Sequence, residues 1–302
     1  MKDKIKGIFH LTHSDRYTYS VVITTFLGIA AADGSLDWRL PFILAANWLS
    51  VAFCFMIKDV INAPDDALLD KQVYYNPVSA GDLSQQLARF ASVLVALLAV
   101  ILFSVLGIWG QTGWKPLVWG VSCMVLGLFF VHRMRRFIRI PLLDLLIQFS
   151  LFTGLQILSG FFAFQPNFNN RLLFTLLFVV NLSVYQALSL VINDPDNQRK
   201  FQPPPVSTFR SERIIHFIMI LTLSAGMISG VITIFFLKVI LLEIFALMGV
   251  LTIIFMLPLI KRIRQKCTLL DIQEPFYRAV EKAAALSLFM QFIIPSIIKF
   301  FR

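Results

Sequence analysis

The chain has 302 residues, of which 58% are hydrophobic, and its mean hydropathy is +0.77. Soluble domains are not this apolar, so the composition excludes them and indicates an integral membrane protein built of helices. The formal net charge is +10, and the three cysteines (Cys54, Cys123 and Cys267) are too far apart in sequence for a disulfide framework or a metal-ligand motif.

The first sixteen residues are basic and polar, and they lack the short apolar core of a cleaved signal peptide. We expect the two histidines of this segment, His10 and His13, to be solvated. Apolar runs of a length suited to crossing a bilayer follow one another along the rest of the chain. They predict nine membrane spans, at about 17–33, 40–58, 90–109, 115–132, 142–164, 171–192, 214–237, 239–260 and 283–300.

The basic residues predict the orientation of these spans. Of the 27 Lys and Arg, 21 fall on the N-terminal segment and on the connections after the second, fourth, sixth and eighth spans. Basic residues collect on the cytoplasmic side of membrane proteins, so we expect the N-terminus inside and the C-terminus outside. The positive charge therefore reports topology and contact with anionic membrane lipids, and it gives no argument for binding nucleic acid.

Acidic and amide residues gather directly after the second span, in the stretch KDVINAPDDALLDK. Asp59, Asn62, Asp66 and Asp70 are separated by three or four residues, which places them on one face of a helix, whereas Asp65 points elsewhere. Pro64 is expected to kink or restart that helix. Carboxylates that share a face repel one another unless a cation lies among them, and oxygen ligands without His or Cys suit Mg²⁺.

A second unusual connection, at about 193–213, follows the sixth span. It supplies further oxygen ligands and then basic side chains: Asn193, Asp194, Asp196, Asn197, Arg199 and Lys200. Two such loops facing each other would hold metal ions between them, and the basic residues would neutralise a diphosphate. The plainer interpretation is that both stretches are ordinary polar turns on the inner side of a membrane protein.

The stretch KDVINAPDDALLDK, followed by NPVSAG, resembles the first aspartate motif of the UbiA-type intramembrane prenyltransferase family. The resemblance implies an all-α integral membrane protein, a single polytopic domain over 1–302, with nine transmembrane helices around a central cavity. The inner loops 59–89 and 193–213 would form its polar cap. It also implies a Mg²⁺-dependent transfer of an isoprenyl group from a prenyl diphosphate donor to a lipid-soluble acceptor with an aromatic or polyene structure.

The same resemblance implies roles for individual residues. The expected catalytic residues are Asp59, Asp66, Asp70 and Asp194. The expected metal ligands are these four together with Asn62 and Asp196. The expected substrate-binding residues are Lys58, Asn62, Lys71, Arg135, Arg136, Asn193, Asn197, Arg199 and Lys200.

This sequence departs from the family pattern at several positions. Lys58 stands where the family has Asn, Asn62 replaces an acid, and Tyr75 replaces the basic residue before Asn-Pro. The register of the second motif is open, because Ser189 and Asn193 are alternatives for its acidic positions. Lys58, Arg135 and Arg136 have a plain alternative as well, since positive charge collects on the inner side of a membrane protein in any case.

Two other functions are consistent with the sequence. A catalytically silent relative would bind an isoprenoid or partner another membrane enzyme, and the altered motifs favour it. A small transporter is the other alternative, but few ionisable residues lie within the predicted spans, where an ion pathway would need them.

Overall fold

A computed structural model describes residues 2–66, 76–137, 141–193, 212–263 and 269–300 of the chain. All regular secondary structure in these ranges is helical. The helices are α1 (Lys2–Leu11), α2 (Ser14–Ala31), α3 (Arg39–Asp66), α4 (Gln85–Trp109), α5 (Lys115–Phe137), α6 (Pro141–Phe162), α7 (Asn170–Asn193), α8 (Glu212–Val231, continued by a π-helical turn, Ile232–Phe236), α9 (Leu242–Ile263) and α10 (Leu269–Phe300).

The nine predicted spans each fall on one of the helices from α2 to α10, but several predicted boundaries are wrong. Helix α3 continues to Asp66, so the first eight residues of the predicted inner loop 59–89 are helical. Helix α10 begins at Leu269, well before the predicted start at 283. The N-terminal segment, predicted only to be polar, contains helix α1.

Within the described ranges, four helical segments are long and apolar enough to cross a membrane. They are Arg39–Pro64, Gln85–Trp109, Ile214–Phe236 and Pro275–Ile298. Large apolar side chains on these segments face outward, including Leu97, Ile101 and Ile220, each at least 55% exposed. Such a band of exposed apolar residues is typical of a surface in contact with lipid. The count of nine crossings and the orientation of the termini stay predictions.

The helices pack in sequence order around the molecule. Helix α3 packs mainly on α4, α5 on α6, α6 on α7 and α7 on α8, while α9 pairs with α10. Helix α10 then contacts α2, which brings the two ends of the chain together. Helix α2 also packs on α6, so it connects helices from the middle and from the end of the chain.

Polar side chains join α2, α3 and α6 inside the bundle. Asn47 donates to the Thr25 hydroxyl at 2.9 Å and accepts a hydrogen bond from the Ser159 hydroxyl at 2.7 Å, and Thr24 donates to Gln156 at 2.6 Å. All five side chains are buried. Interhelical hydrogen bonds of this kind stabilise helix packing in an apolar surrounding. They fix the relative positions of the two helices, α2 and α3, whose ends form the candidate site.

The bundle has two chemically different ends. At one end, α2 begins and α3 finishes, close to His13 and Asp59. At the opposite end lie the ion pairs of Asp33 with Arg171 and of Asp37 with Arg39, together with exposed Trp38, Trp109 and Trp114. Exposed tryptophans at one level are expected of a membrane interface.

Two cavities open at the tryptophan end of the bundle. One, of about 190 Å³, is lined by residues that include Asp33, Lys238 and Gln291. The other, of about 460 Å³, lies between Trp114, Trp119 and Phe162. Neither reaches Asp59, so the central cavity implied by the sequence stays a prediction.

Candidate functional site

Helix α3 passes through Pro64 without ending. Of the two outcomes that the sequence predicts there, a kink or a restart, the restart does not occur. Proline has no N–H group, so the carbonyl of Val60 four residues earlier loses its helical partner. The side-chain amide of Gln85, at the start of α4, donates to that carbonyl at 3.3 Å. This replacement bond satisfies the Val60 carbonyl, and the helix continues two residues past Pro64 to Asp66.

Asn76 connects the last turn of α3 with the turn that follows. Its side-chain nitrogen lies 2.9 Å from the Asp59 backbone carbonyl and 2.9 Å from the Asp66 carboxylate. Its side-chain oxygen accepts from the backbone N–H of Val78 at 2.9 Å, which closes an Asx turn. Asn76 is 1% exposed, so these bonds replace water around a buried amide. One side chain therefore sets the position of Asp66 relative to Asp59.

Asp59 is fully buried, and its carboxylate contacts a histidine. The Nε2 atom of His13 lies 2.7 Å from Oδ2 of Asp59, and both side chains are less than 10% exposed. The expectation that His13 is solvated is therefore wrong, whereas His10 is exposed as expected. Burial of an unpaired carboxylate would cost several kcal/mol, and a hydrogen-bonded partner offsets that cost.

His13 reaches Asp59 from an unusual backbone conformation. It lies between α1 and α2 in the left-handed region, with φ 49° and ψ 32°. For a residue other than glycine, such a conformation costs about 1–3 kcal/mol and persists only where the surrounding structure requires it. Helix α1 supplies that surrounding structure, because its Leu11 packs with Met56 and Val60 of α3 in one apolar cluster.

The other residues predicted on the same face of α3 have different environments. Asn62 is buried at 9% exposure, and Asp66 is half-buried. Lys58 is exposed, on a different side of the helix from the buried Asp59. Asn76 thus connects the backbone of Asp59 with the side chain of Asp66, while Lys58 is exposed where the Asp59 side chain is buried.

The remaining predicted site residues can be placed only in part. Arg135 and Arg136 lie in the last turn of α5, and Asn193 is the last residue of α7. Both helices start at the tryptophan end, so they finish at the same end of the bundle as Asp59. The other predicted residues lie outside the described ranges: Asp70, Lys71, Asp194, Asp196, Asn197, Arg199 and Lys200. Their roles stay predictions.

The described residues fit Mg²⁺ only partly. Among them, no three His, Cys, Asp or Glu side chains lie close enough together to hold a metal ion. The half-buried carboxylate of Asp66 has the hard oxygen donors that Mg²⁺ prefers. Asp59 fits less well, because one of its oxygens is already bound to a nitrogen of His13. Among the described acids at this end, Asp66 is therefore the one that fits Mg²⁺ better.

Three residues of this site are absent from the sequence-based set: His13, Asn76 and Gln85. Asn76 had a signal, since it belongs to the Asn-Pro pair within the quoted motif. Gln85 could have been found by asking which donor replaces the N–H that Pro64 lacks. No pattern in the sequence indicates that His13 contacts Asp59, because the two residues lie 46 positions apart in the chain.

Comparison with known proteins identifies the fold. No known family's sequence profile matches the chain, and no curated protein matches it by sequence. Among solved structures, the chain is similar to one described as "Structural and mechanistic insights into the biosynthesis of Digeranylgeranylglyceryl phosphate synthase in membranes". That match has a TM-score of 0.66 and 12% identity, and it covers 96% of this chain and 98% of the other.

Two further similar structures are of a UbiA homolog from Archaeoglobus fulgidus, one bound to GPP and Mg²⁺ and the other to DMAPP and Mg²⁺. Their TM-scores are 0.59 and 0.55, at 14% identity, with 95% of this chain and 99% of each other chain covered. The match extends over nearly the whole length of both partners, so it concerns the complete bundle and not a single pair of helices. The resemblance that the first aspartate motif indicated is thus confirmed at the level of the fold: this chain has the fold of the UbiA-type intramembrane prenyltransferases.

Proposed function

We propose that this chain binds a prenyl diphosphate with Mg²⁺ at the inner end of α3 and transfers the prenyl group to a lipid-soluble acceptor. The observation that carries the proposal is the Asp66 carboxylate, held by the buried side chain of Asn76 at the end of a helix of the UbiA-type fold. The structures of the UbiA homolog with GPP or DMAPP and Mg²⁺ support the choice of donor and metal.

Each part of the site would have a separate task. Asp66, together with Asp70 and Asp194 or Asp196, would hold Mg²⁺ through carboxylate oxygens. Bound Mg²⁺ would neutralise charge that develops on the diphosphate as it leaves. Asn76 keeps Asp66 in place, while the basic residues Arg135, Arg136, Arg199 and Lys200 would bind the outer oxygens of the diphosphate.

The membrane location would serve the same reaction. An apolar bundle accepts the prenyl chain and a lipid-soluble acceptor directly from the bilayer, and it keeps water away from the reacting carbon. The acceptor class we propose is an aromatic or polyene lipid.

A catalytically silent relative is the second candidate, and specific observations favour it. Asn62 replaces an acid of the family motif, and the Asp59 carboxylate contacts His13. Fewer carboxylates then remain for metal. Such a protein would still bind an isoprenoid diphosphate or another membrane enzyme without forming product.

An incubation experiment separates these two functions. Purified protein in lipid nanodiscs is incubated with Mg²⁺, radiolabelled prenyl diphosphates of several lengths and a lipid extract of the native membrane. We expect a labelled lipid product that is absent when EDTA replaces Mg²⁺ and absent with the Asp66→Ala variant. Binding of the diphosphate without any labelled product would favour the silent relative. The absence of both binding and product would contradict the proposed transferase and a silent relative that binds the diphosphate.

A further inference from the structure

The pair formed by His13 and Asp59 takes no part in the proposed reaction. One of its two residues, His13, nevertheless has an uncommon backbone conformation. His13 adopts a left-handed backbone conformation between α1 and α2, and its side chain is 7% exposed. An observed outlier of this kind, maintained at a candidate site, is a reason to look for a function.

The contact between the two side chains is a single short hydrogen bond. The Nε2 atom of His13 lies 2.7 Å from Oδ2 of Asp59, and a ring N–H directed at a carboxylate oxygen is the donor that suits this pair. The ring of His13 also lies against Phe55, with 5.8 Å between the ring centroids, and Phe55 stacks on Tyr17 at 5.2 Å. These aromatic neighbours fix the orientation of the imidazole.

The backbone of Asp59 carries the next contact. Its carbonyl oxygen accepts from Asn76, and the same Asn76 nitrogen bonds to the carboxylate of Asp66. His13 is therefore connected to Asp66 through two residues, Asp59 and Asn76. His13 thus holds the side chain of Asp59, and Asn76 bonds to the backbone of the same residue and to the carboxylate that we propose as a metal ligand.

Helix α1 holds this arrangement from the other side. Gly7 of α1 packs so closely on Leu83 that an added Cβ atom would lie 2.9 Å from the leucine side chain. Leu83 belongs to the turn that Asn76 begins, since its backbone N–H donates to the carbonyl of Pro77 at 3.1 Å. The N-terminal helix thus contacts the turn directly and, through His13, contacts the end of α3.

We propose that His13 is a positioning residue that engages Asp59 in place of a metal ion, so that Asp59 orders the Asn76 turn instead of coordinating Mg²⁺. The pairing of the two side chains is independent of the proposed function, whereas the consequence for the metal ligands rests on it. In this chain Mg²⁺ then takes no ligand from Asp59, and Asp66 is the acid of this helical face that remains to bind it.

The first test needs neither metal nor substrate. The melting temperature of the full chain in nanodiscs with EDTA is measured for His13→Ala, Asp59→Ala and the double variant. We expect each single change to lower it by about 5 °C or more, and the double variant to melt no lower than the worse single one. Lys6→Ala, at an exposed residue of α1, is the control, and its effect should add to that of Asp59→Ala.

A conservative variant keeps this test decisive if the alanine variant does not fold. In the His13→Gln variant, the side-chain amide can still donate to Asp59. Its decrease in melting temperature should therefore be at most half of the decrease caused by His13→Ala. Additive effects of His13→Ala and Asp59→Ala on the melting temperature in EDTA would overturn the pairing.

The second test concerns the metal. Binding of a non-hydrolysable prenyl diphosphate analogue is titrated with Mg²⁺ for the wild type, His13→Ala and Asp66→Ala. We expect His13→Ala to weaken analogue binding about tenfold at saturating Mg²⁺ while the half-saturating Mg²⁺ concentration stays within about twofold. Asp66→Ala should raise that concentration at least tenfold.

The outcomes of the second test are distinct. If His13→Ala raises the Mg²⁺ requirement as much as Asp66→Ala does, Asp59 is a metal ligand that His13 merely orients, and the proposal is overturned. If the wild type shows no Mg²⁺-dependent binding, the proposed function fails, and the melting experiment in EDTA still decides whether His13 and Asp59 form a pair.

Discussion

At the scale of single residues, the amide of Asn76 contributes most to the geometry of the site. It donates to two oxygen atoms of α3 and accepts from the backbone N–H groups of Val78 and Ser79, so its removal leaves several polar groups without that partner. A hydrogen bond of this kind contributes about 1 kcal/mol, and an unsatisfied buried group costs about 1–3 kcal/mol.

We therefore expect Asn76→Ala to lower stability by about 2 kcal/mol and to weaken Mg²⁺-dependent binding of a prenyl diphosphate analogue at least tenfold. Asn169→Ala is the matched control, because Asn169 caps α7 at the tryptophan end by accepting from the N–H of Leu172. That change should lower stability by about 1 kcal/mol and leave binding unaltered. Equal effects of the two variants on binding would show that Asn76 acts only on stability.

The motif around Asp59 shows how far residue-scale prediction reaches. Three- and four-residue spacing places Asp59 and Asp66 on one helical face, and the structure connects them through Asn76. The partner of Asp59 was beyond prediction, since His13 becomes its neighbour only when α2 and α3 pack side by side. A histidine in a basic, polar segment carries no mark of burial in the sequence.

At the scale of elements, Pro64 gives a sharp prediction about how α3 continues. Gln85→Ala should lower stability by about 1 kcal/mol, because the carbonyl of Val60 then loses the donor that replaces the missing N–H. In a Pro64→Ala background, the alanine N–H can bond to Val60, so Gln85→Ala should cost almost nothing. A double-mutant cycle on the unfolding free energy measures this coupling. An equal cost in both backgrounds would contradict the account of the uninterrupted helix.

The contact between α2 and α6 provides a second prediction at this scale. A Cβ atom on Gly28 would lie 2.3 Å from the backbone oxygen of Ile157, so the helices could not keep their distance. Gly28→Ala should therefore destabilise the protein by about 1–3 kcal/mol. Gly249→Ala is the control, since Gly249 lies in α9 with open space around it, and that change should be neutral or stabilise by up to about 1 kcal/mol. A tolerated Gly28→Ala would mean that α2 and α6 are farther apart.

Helices were more predictable than their ends. Long apolar runs locate each helix from α2 to α10, because the period and length of apolar residues are local properties. The ends depend on tertiary partners: Gln85 carries α3 past Pro64, and the contact with Leu83 holds α1 in place. Neither partner can be recognised from the residues of the helix that it extends or supports.

At the scale of the whole molecule, the distribution of charge predicts the side of the membrane on which the site lies. The exposed residues Gln86 and Ser35 lie at opposite ends of the bundle. In a background without the native cysteines, Gln86→Cys should react with a membrane-impermeant maleimide only after the cells are opened. Ser35→Cys should react in intact cells, and the reverse pattern would contradict the orientation.

The similarity to solved structures concerns the arrangement of the helices and not the individual side chains. Identity of 12% with a TM-score of 0.66 means that two chains share a helical arrangement while most side chains differ. The central claim, that Asp66 at the inner end of α3 binds a prenyl diphosphate through Mg²⁺, therefore has to be tested on this chain.

The most direct measurement is the binding of a non-hydrolysable prenyl diphosphate analogue to purified protein, with Mg²⁺ or with EDTA. Asp65→Ala, Asp66→Ala and Asp70→Ala are compared, because these acids differ in helical direction and not in chemistry. We expect Mg²⁺-dependent binding to fall about 100-fold with Asp66→Ala or Asp70→Ala, and to change less than about threefold with Asp65→Ala. Analogue binding that is equal with Mg²⁺ and with EDTA would contradict the account. Binding that is unchanged in all three variants would contradict it as well.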